Sequence, residues 1–137
     1  MIVCLSYLNQ PDNYDIINQR KLLLLWRFIM NNNCVILIPA LDPPEIFLSY
    51  IDELIQFGFK DILVVDDGSH QKKIFEKIGS LPQVTVLTHP ENYGKGRALR
   101  TGLAYYKDHY SYDEYCGVIT ADSDGQHLVD DVLKISK

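Results

Sequence analysis

Four short apolar runs, rich in β-branched residues, constrain the fold of this chain more than any other feature. They lie at Cys34–Ile38, Ile62–Val65, Val84–Leu87 and Val118–Ala121. A continuous apolar run of this length, bounded by turn-forming residues, is typical of a strand buried on both faces. Segments with helical spacing of apolar residues separate the runs. This alternation predicts right-handed βαβ units, and therefore an α/β domain with a mostly parallel sheet and helices on both faces.

The segments between the runs predict the helices. Asp42 is expected to cap the first helix, and Gly58 is expected to end it. In the third helix, Leu99, Leu103 and Tyr106 share the face that should be buried. The remaining predicted bounds are Ile74–Ile78 for the second helix, Gly96–Tyr106 for the third and Leu128–Ile135 for the last.

Composition narrows the class of protein. Apolar residues make up 47% and charged residues 23% of the 137 residues, which is typical of a soluble globular domain and argues against disorder. The net charge is −5, and no basic stretch stands out. A protein that binds nucleic acid through its phosphates needs a basic face. Nucleic acid is therefore not expected as a partner.

Residues 1–33 differ from the rest of the chain and predict a peripheral extension, with the main domain at 34–137. The run Leu22–Trp26 is followed by Arg27, so it falls short of the about 20 apolar residues that span a bilayer. It also lacks the cleavage site of a signal peptide. A short amphipathic helix that packs or touches a membrane, and sequence upstream of a start at Met30, remain open.

The cysteines and histidines carry no metal-ligand spacing. The three cysteines (Cys4, Cys34 and Cys116) are far apart in sequence, which predicts buried, reduced thiols and a cytoplasmic setting. The histidines are expected to be surface or turn residues, apart from His127 beside an acidic cluster. These histidines are His70, His89, His109 and His127.

Polar clusters follow three of the four predicted strands. They lie at Pro39–Asp42, Asp66–Ser69 and Asp122–Gln126. The carboxyl ends of parallel strands meet at one edge of a sheet, where ligands bind in open α/β folds. The sequence therefore predicts a binding site at this edge.

The acidic clusters suggest chemistry for that site. Asp122 and Asp124 supply hard oxygen ligands of the kind that Mg²⁺ or Mn²⁺ prefers, and such a cation would neutralise a diphosphate. Asp66 and Asp67 are candidates to accept hydrogen bonds from a nucleobase or a ribose hydroxyl. Aspartates also gather in turns for purely local reasons, which leaves a structural role open for both clusters.

Asn92–Arg97 forms a third candidate, a glycine-containing turn at the start of a predicted helix. Free N–H groups at a helix N-terminus attract anions, and Lys95 and Arg97 add positive charge. The spacing differs from that of a P-loop and from the dinucleotide-binding fingerprint. An ATPase of the P-loop class is therefore excluded.

In order and position, these motifs resemble the family 2 inverting glycosyltransferases, which have a GT-A (Rossmann-like) fold. The subgroup closest in pattern is the polyprenyl- or dolichyl-phosphate sugar synthases. The resemblance covers about residues 34 to 135, although Asn is more usual at the position of Asp42. Its motifs are Ile36–Asp42, Leu63–Ser69, Asn92–Leu99 and Ala121–His127.

The resemblance implies a nucleotide diphosphate sugar, UDP- or GDP-linked, and Mg²⁺ or Mn²⁺ bound by Asp124 and Asp122. Asp67 would contact the base, and Lys95 would lie near the nucleotide. The implied substrate-binding residues are Pro39, Leu41, Glu45, Val65, Asp66, Asp67, Lys95, Ala121, Asp122 and Gln126.

The activity implied is transfer of a hexose to a lipid phosphate or glycan, in the cytoplasm or at the inner face of the membrane. Family catalytic domains are longer than the matched stretch, so we expect a truncated, donor-binding half without the general base. Its exposed sheet edge would allow self-association. One alternative is an inactive nucleotide-sugar-binding fragment. Another is a sugar nucleotidyltransferase, which the lack of glycine and lysine in Pro39–Pro44 argues against.

Overall fold

The computed structural model describes residues 33–111, 113–124 and 129–136. The expectations for the N-terminal extension and for Gln126 lie outside these residues. Strands and helices alternate as the sequence predicts, and their bounds differ from the predicted ones by a few residues. The elements are β1 (Cys34–Ala40), α1 (Ile46–Gln56), β2 (Ile62–Asp66), α2 (Lys73–Gly79), β3 (Val84–Thr88), α3 (Lys95–His109), β4 (Gly117–Thr120) and α4 (Val129–Ile135).

The four strands form one parallel sheet in the order β3-β2-β1-β4, which confirms the predicted α/β class. β2 and β3 are added in turn on one side of β1, and β4 then pairs with the other side of β1. At the centre, Ile36 pairs with Ile62 on one side and with Ile119 on the other. The strand order therefore reverses between β1 and β4, and ligand sites in such sheets lie beyond the strand ends at this point.

Helices cover both faces of the sheet because successive side chains of a strand point to opposite faces. Ile36 and Ile38 of β1 belong to a buried cluster that includes residues of α1, α2 and α4. Val35 and Leu37 belong to a second cluster, together with residues of α3. All seven residues of β1 are buried. The unbroken apolar run in the sequence thus reflects a strand with a core on each side.

Helix α3 packs on the sheet through small residues. Its buried positions are Ala98, Gly102 and Tyr106, whereas Leu103 is 46% exposed. A methyl group added at Gly102 would overlap the side chain of Leu37. Close approach of the helix backbone to the sheet therefore selects the small residues. The prediction that Leu103 faces the core is wrong for this reason.

Asp42 does not cap α1, contrary to the prediction. The helix begins at Ile46, and Asp42 has a positive φ of 42°. Its Oδ1 accepts hydrogen bonds from the backbone N–H groups of His70 (2.7 Å) and Gln71 (3.2 Å), and its own N–H donates to Ser69 Oγ at 2.8 Å. The side chain instead joins the loop after β1 to the loop after β2.

Two of the cysteines are paired, so the prediction of unpaired thiols is wrong for them. Cys34 and Cys116 form a disulfide with Cα atoms 5.5 Å apart and a sequence separation of 82. Cys34 starts β1 and lies opposite Gly117, the first residue of β4. Parallel pairing brings together residues that are distant along the chain. The cytoplasmic setting inferred from unpaired thiols loses that support.

In the part of the chain that the structure describes, no helix is both long and apolar enough to cross a bilayer.

Candidate functional site

A cleft of about 410 Å³ lies beyond the carboxyl ends of the strands. Its lining comes from the last two residues of β1 and from the segments that follow β1, β2, β3 and β4, as expected at the point where the strand order reverses. The lining residues are Pro39, Ala40, Leu41, Asp67, Asn92, Gly94, Lys95, Asp122, Ser123 and Asp124.

Six of the predicted site residues line this cleft together. They are Pro39, Leu41, Asp67, Lys95, Asp122 and Asp124. Pro39 and Leu41 contribute apolar surface, and Leu41 is 44% exposed. The other four are charged side chains from three different segments. The cleft therefore combines an apolar wall with positive and negative groups, a composition suited to a ligand that is part ring system and part anion.

Asp67 is the most completely buried charged group in the cleft, with a side chain only 4% exposed. Its Oδ1 accepts hydrogen bonds from His89 Nδ1 at 2.7 Å and from the backbone N–H of Tyr93 at 3.0 Å. Its Oδ2 accepts the N–H of Gly94 at 2.8 Å. Burial acts to raise the pKa of Asp67, but these hydrogen bonds outweigh burial and the pKa is lowered. The carboxylate is therefore held in its ionised form.

His89 lies between Asp67 and helix α3. Its Nε2 is 2.9 Å from the hydroxyl oxygen of Thr101, and the residue is only 9% exposed. Ionised Asp67 can only accept hydrogen bonds, so His89 Nδ1 carries a proton. His89 follows β3 at a turn, as expected, but it is not a surface residue, because its ring is hydrogen-bonded to Asp67, 22 residues away along the chain.

Gly68 brings the segments after β2 and β3 into direct contact. It has a φ of +80°, and a Cβ atom there would lie only 2.7 Å from the Cα of Glu91 and would also overlap Asn92. Only glycine has both the conformational freedom and the lack of a side chain that this contact needs. Together with the hydrogen bonds of Asp67, this packing fixes one wall of the cleft.

Lys95 and Asp122 form an ion pair. Lys95 opens helix α3 directly after Gly94, whose φ is 91°. The Lys95 side chain is 61% exposed and the Asp122 side chain 35% exposed, so both can be reached by a ligand. This ion pair places a cation beside the carboxylate that follows β4.

Asp122 and Asp124 fit a divalent cation in their donor chemistry. Both line the cleft and offer carboxylate oxygens. Magnesium is commonly held by one or two carboxylates together with phosphate oxygens and waters. Among the residues described, no group of three or more His, Cys, Asp or Glu side chains could hold a metal ion. Waters and phosphate oxygens of a ligand are the kinds of group that would complete the coordination of a cation at these two aspartates.

The other predicted site residues within the described part of the chain do not line the cleft. Val65 and Ala121 are buried, and Glu45 is exposed beside the start of α1. Asp66 is fully buried, where it accepts the N–H of Ser69 at 2.8 Å and pairs with Lys72 Nζ at 2.7 Å. Their roles in binding, like that of Gln126 outside the described residues, stay predictions.

The sequence also left several lining residues unassigned. Ala40, Asn92, Gly94 and Ser123 line the cleft but were not among the predicted site residues. Each lies within a motif that the sequence shows, so adjacency to the predicted residues was a usable signal. His89 had no such signal, because its interactions depend on two partners that are distant in sequence.

The profile of the family described as Glycosyl transferase family 2 matches residues 35–137. This match sets aside the sugar nucleotidyltransferase alternative. The match spans the sheet apart from its first residue, Cys34, and includes every residue that lines the cleft. No solved structure gives a significant match to the chain.

Two curated relatives support the same assignment. The chain is similar to the uncharacterized protein MJ1222 of Methanocaldococcus jannaschii, with 34% identity over 80% of this chain and 42% of the relative. It is also similar to the UDP-N-acetylglucosamine–dolichyl-phosphate N-acetylglucosaminyltransferase of Methanococcus voltae, with 29% identity over 73% of this chain and 44% of the relative. The aligned part is thus less than half of each relative's length. On its sequence match and its fold, the chain belongs to glycosyl transferase family 2.

Proposed function

We propose that this chain binds a nucleotide diphosphate sugar and serves in transfer of its sugar to a lipid phosphate. The observation that carries the proposal is the shared cleft lined by Asp67, Lys95, Asp122 and Asp124. The relative from Methanococcus voltae is named for a UDP-linked donor and a dolichyl-phosphate acceptor. That name supports the choice of a lipid phosphate rather than a glycan as acceptor in this proposal.

In this proposal the two ends of the cleft bind different parts of the donor. Asp67 accepts a hydrogen bond from the nucleobase, and the apolar surface of Pro39 and Leu41 packs against the base or ribose. Lys95 contacts the diphosphate, with the N-terminal N–H groups of α3 behind it. Asp122 and Asp124 would hold Mg²⁺ or Mn²⁺. When bound, such a cation supplies charge neutralisation at the diphosphate.

The reaction proceeds as a single displacement at the anomeric carbon of the sugar. An acceptor oxygen forms a bond to this carbon while the bond from carbon to diphosphate oxygen breaks, and the configuration inverts. Negative charge grows on the departing diphosphate. Lys95 stabilises that charge most strongly as it develops, which lowers the barrier.

The choice of acceptor decides whether a general base is needed. A hydroxyl of a glycan must lose a proton as it attacks, which requires a positioned base. A phosphate monoester is already ionised near neutral pH and brings a nucleophilic oxygen without that step. A lipid-phosphate acceptor therefore does not depend on a positioned base. We propose that the site works at a membrane surface, where a lipid phosphate and a soluble donor can meet.

Calorimetric titration of the folded chain with UDP-N-acetylglucosamine, UDP-glucose and GDP-mannose in the presence of Mn²⁺ tests this proposal. We expect saturable binding of at least one donor. Asp124→Asn should weaken it, whereas Asp130→Asn, a matched change at an exposed position in α4, should leave it unchanged. A folded chain that binds none of the three donors would contradict the proposal.

Binding of a nucleotide sugar without transferase activity is the second candidate, and the cleft on its own supports binding as well as transfer. Binding and transfer separate the two. Incubation with a labelled donor and dolichyl phosphate, followed by extraction of the lipid, reports transfer directly. Binding without labelled lipid would favour the second candidate.

A further inference from the structure

We infer that the cleft selects a uridine nucleotide over a guanosine nucleotide, because Asp67 has room for one further hydrogen-bond donor. The inference rests on the proposed function, in which Asp67 faces the base. It adds the identity of that base, which neither the family nor the fold specifies.

The capacity of Asp67 follows from its contacts. An ionised carboxylate accepts about four hydrogen bonds, two at each oxygen. Oδ1 already accepts two, from His89 Nδ1 and from the N–H of Tyr93. Oδ2 accepts one, from the N–H of Gly94. The described residues thus leave one acceptor position, on Oδ2.

The nucleobases differ in the number of donors they present. Uracil offers a single ring N–H between two carbonyl groups, so one acceptor satisfies it. Guanine offers a ring N–H and an adjacent amino group, which pair best with both oxygens of a carboxylate at once. Because Oδ1 of Asp67 is filled, guanine would leave one of these donors without a partner.

Rotation of the Asp67 carboxylate would not easily open a second acceptor position, because the groups around it are themselves held in place. His89 is itself held at Nε2 by Thr101 of α3, at 2.9 Å. Gly68, next to Asp67, packs against the backbone of Glu91 without space for a side chain. His89 is therefore a positioning residue that keeps Oδ1 occupied and turns the open position of Oδ2 to the ligand.

Titration of the full chain with UDP, GDP and CDP in Mn²⁺ tests the inference. A buried donor left unpaired weakens binding by about tenfold or more, so UDP should bind at least about tenfold more tightly than GDP. CDP should also bind less tightly than UDP, because the ring nitrogen of cytosine carries a lone pair where uracil carries the N–H. GDP binding as tightly as UDP overturns the inference and leaves the proposed function standing. Failure of all three nucleotides to bind the folded chain overturns both.

Two substitutions at His89 test its part. In His89→Asn the amide nitrogen takes the place of Nδ1 and can still donate to Asp67, whereas His89→Leu removes the donor. We expect His89→Asn to retain the ratio of the UDP and GDP affinities and His89→Leu to reduce it. The ratio of the UDP and GDP affinities of one variant does not depend on the fraction of that variant that is folded. A purely structural defect would therefore leave this ratio unchanged. Equal ratios in the two variants would overturn the positioning role.

Thr101→Val gives a milder test in case His89→Leu fails to fold. It removes the hydroxyl that holds His89 Nε2 and should therefore weaken, without abolishing, the contact between His89 and Asp67. We expect a smaller reduction of the same ratio. A ratio identical to that of the unmodified chain would overturn the role of Thr101 in positioning His89.

Discussion

The carboxylate of Asp67 lies 2.7 Å from Nδ1 of His89, which follows the neighbouring strand and is 22 residues further along the chain. This contact crosses from the end of β2 to the end of β3 inside the protein. With the backbone N–H groups of Tyr93 and Gly94, it uses most of the hydrogen-bonding capacity of Asp67. The same residue therefore supports the fold of the loop and faces the cleft.

The first prediction concerns the acid stability that Asp67 provides. Its pKa in the folded protein is lowered from the usual value of 3.8, so the ionised form stabilises the fold above that value. The contribution is lost as the pH falls through the lowered pKa. At pH 7, Asp67→Asn should lower the free energy of unfolding by about 1–3 kcal/mol, as for loss of a charged hydrogen-bond partner.

Urea denaturation between pH 7 and pH 3 measures this effect. The difference between Asp67→Asn and the unmodified chain should shrink as the pH falls. Asp52→Asn, at an exposed position in α1, is the control and should change stability little at any pH. A difference that stays constant from pH 7 to pH 3 would argue against an electrostatic role for Asp67.

The second prediction compares two glycines. Gly68→Ala should lower the free energy of unfolding by about 3 kcal/mol or more, because the residue has a positive φ and no space for a Cβ. Gly96→Ala should leave it unchanged or raise it by up to about 1 kcal/mol, because a Cβ there meets nothing within 4 Å in a helix. Thermal or urea unfolding of both variants checks the contrast. Equal stabilities would contradict the packing described at Gly68.

The third prediction concerns Lys95 and the diphosphate. Lys95→Gln should weaken binding of UDP by about fivefold to thirtyfold, as expected for loss of a charged contact worth roughly 1–2 kcal/mol. Binding of uridine, which lacks the diphosphate, should change little. Lys107→Gln, at an exposed position near the other end of α3, should affect neither ligand. Equal losses for UDP and uridine would show that Lys95 does not act on the diphosphate.

The fourth prediction concerns the disulfide between Cys34 and Cys116. Its reduction should lower the free energy of unfolding by about 2–4 kcal/mol, because the bond restricts the unfolded chain. Cys116→Ser should be destabilised to a similar extent and should no longer respond to a reducing agent. Cys4→Ser should behave like the unmodified chain. Unfolding with and without dithiothreitol, with thiol counts by mass spectrometry, tests this prediction, and an unmodified chain that shows three free thiols would contradict it.

The sheet could be predicted because the burial of each central strand is visible in the residue types of that strand alone. β1 and β2 are buried on both faces, so Val35 to Ile38 and Ile62 to Val65 read as unbroken apolar runs. The position of the site followed from the same pattern, since parallel strands end at one edge. Asp67, Lys95, Asp122 and Asp124 could therefore be expected near one another.

What the sequence did not predict depends on contacts between distant segments. Helical periodicity favoured Leu103 as a core residue because Leu103 is large and apolar. In the structure α3 lies too close to the sheet for a side chain, so Gly102 occupies the buried position. Asp42 has the residue type of a helix cap, yet the N–H groups of His70 and Gln71 lie closer to it in the fold. His89 likewise gains its partners only after β2, β3 and α3 are assembled.

The ion pair of Lys95 and Asp122 joins two parts of the cleft that belong to different neighbours of β1. Lys95 lies after β3, on the side of β1 where β2 and β3 are placed. Asp122 lies after β4, which is on the other side of β1. In the proposed complex, Lys95 contacts the diphosphate and Asp122 contacts the cation. Binding of the donor would therefore replace the contact between these two side chains with one contact to a phosphate and one to a metal ion.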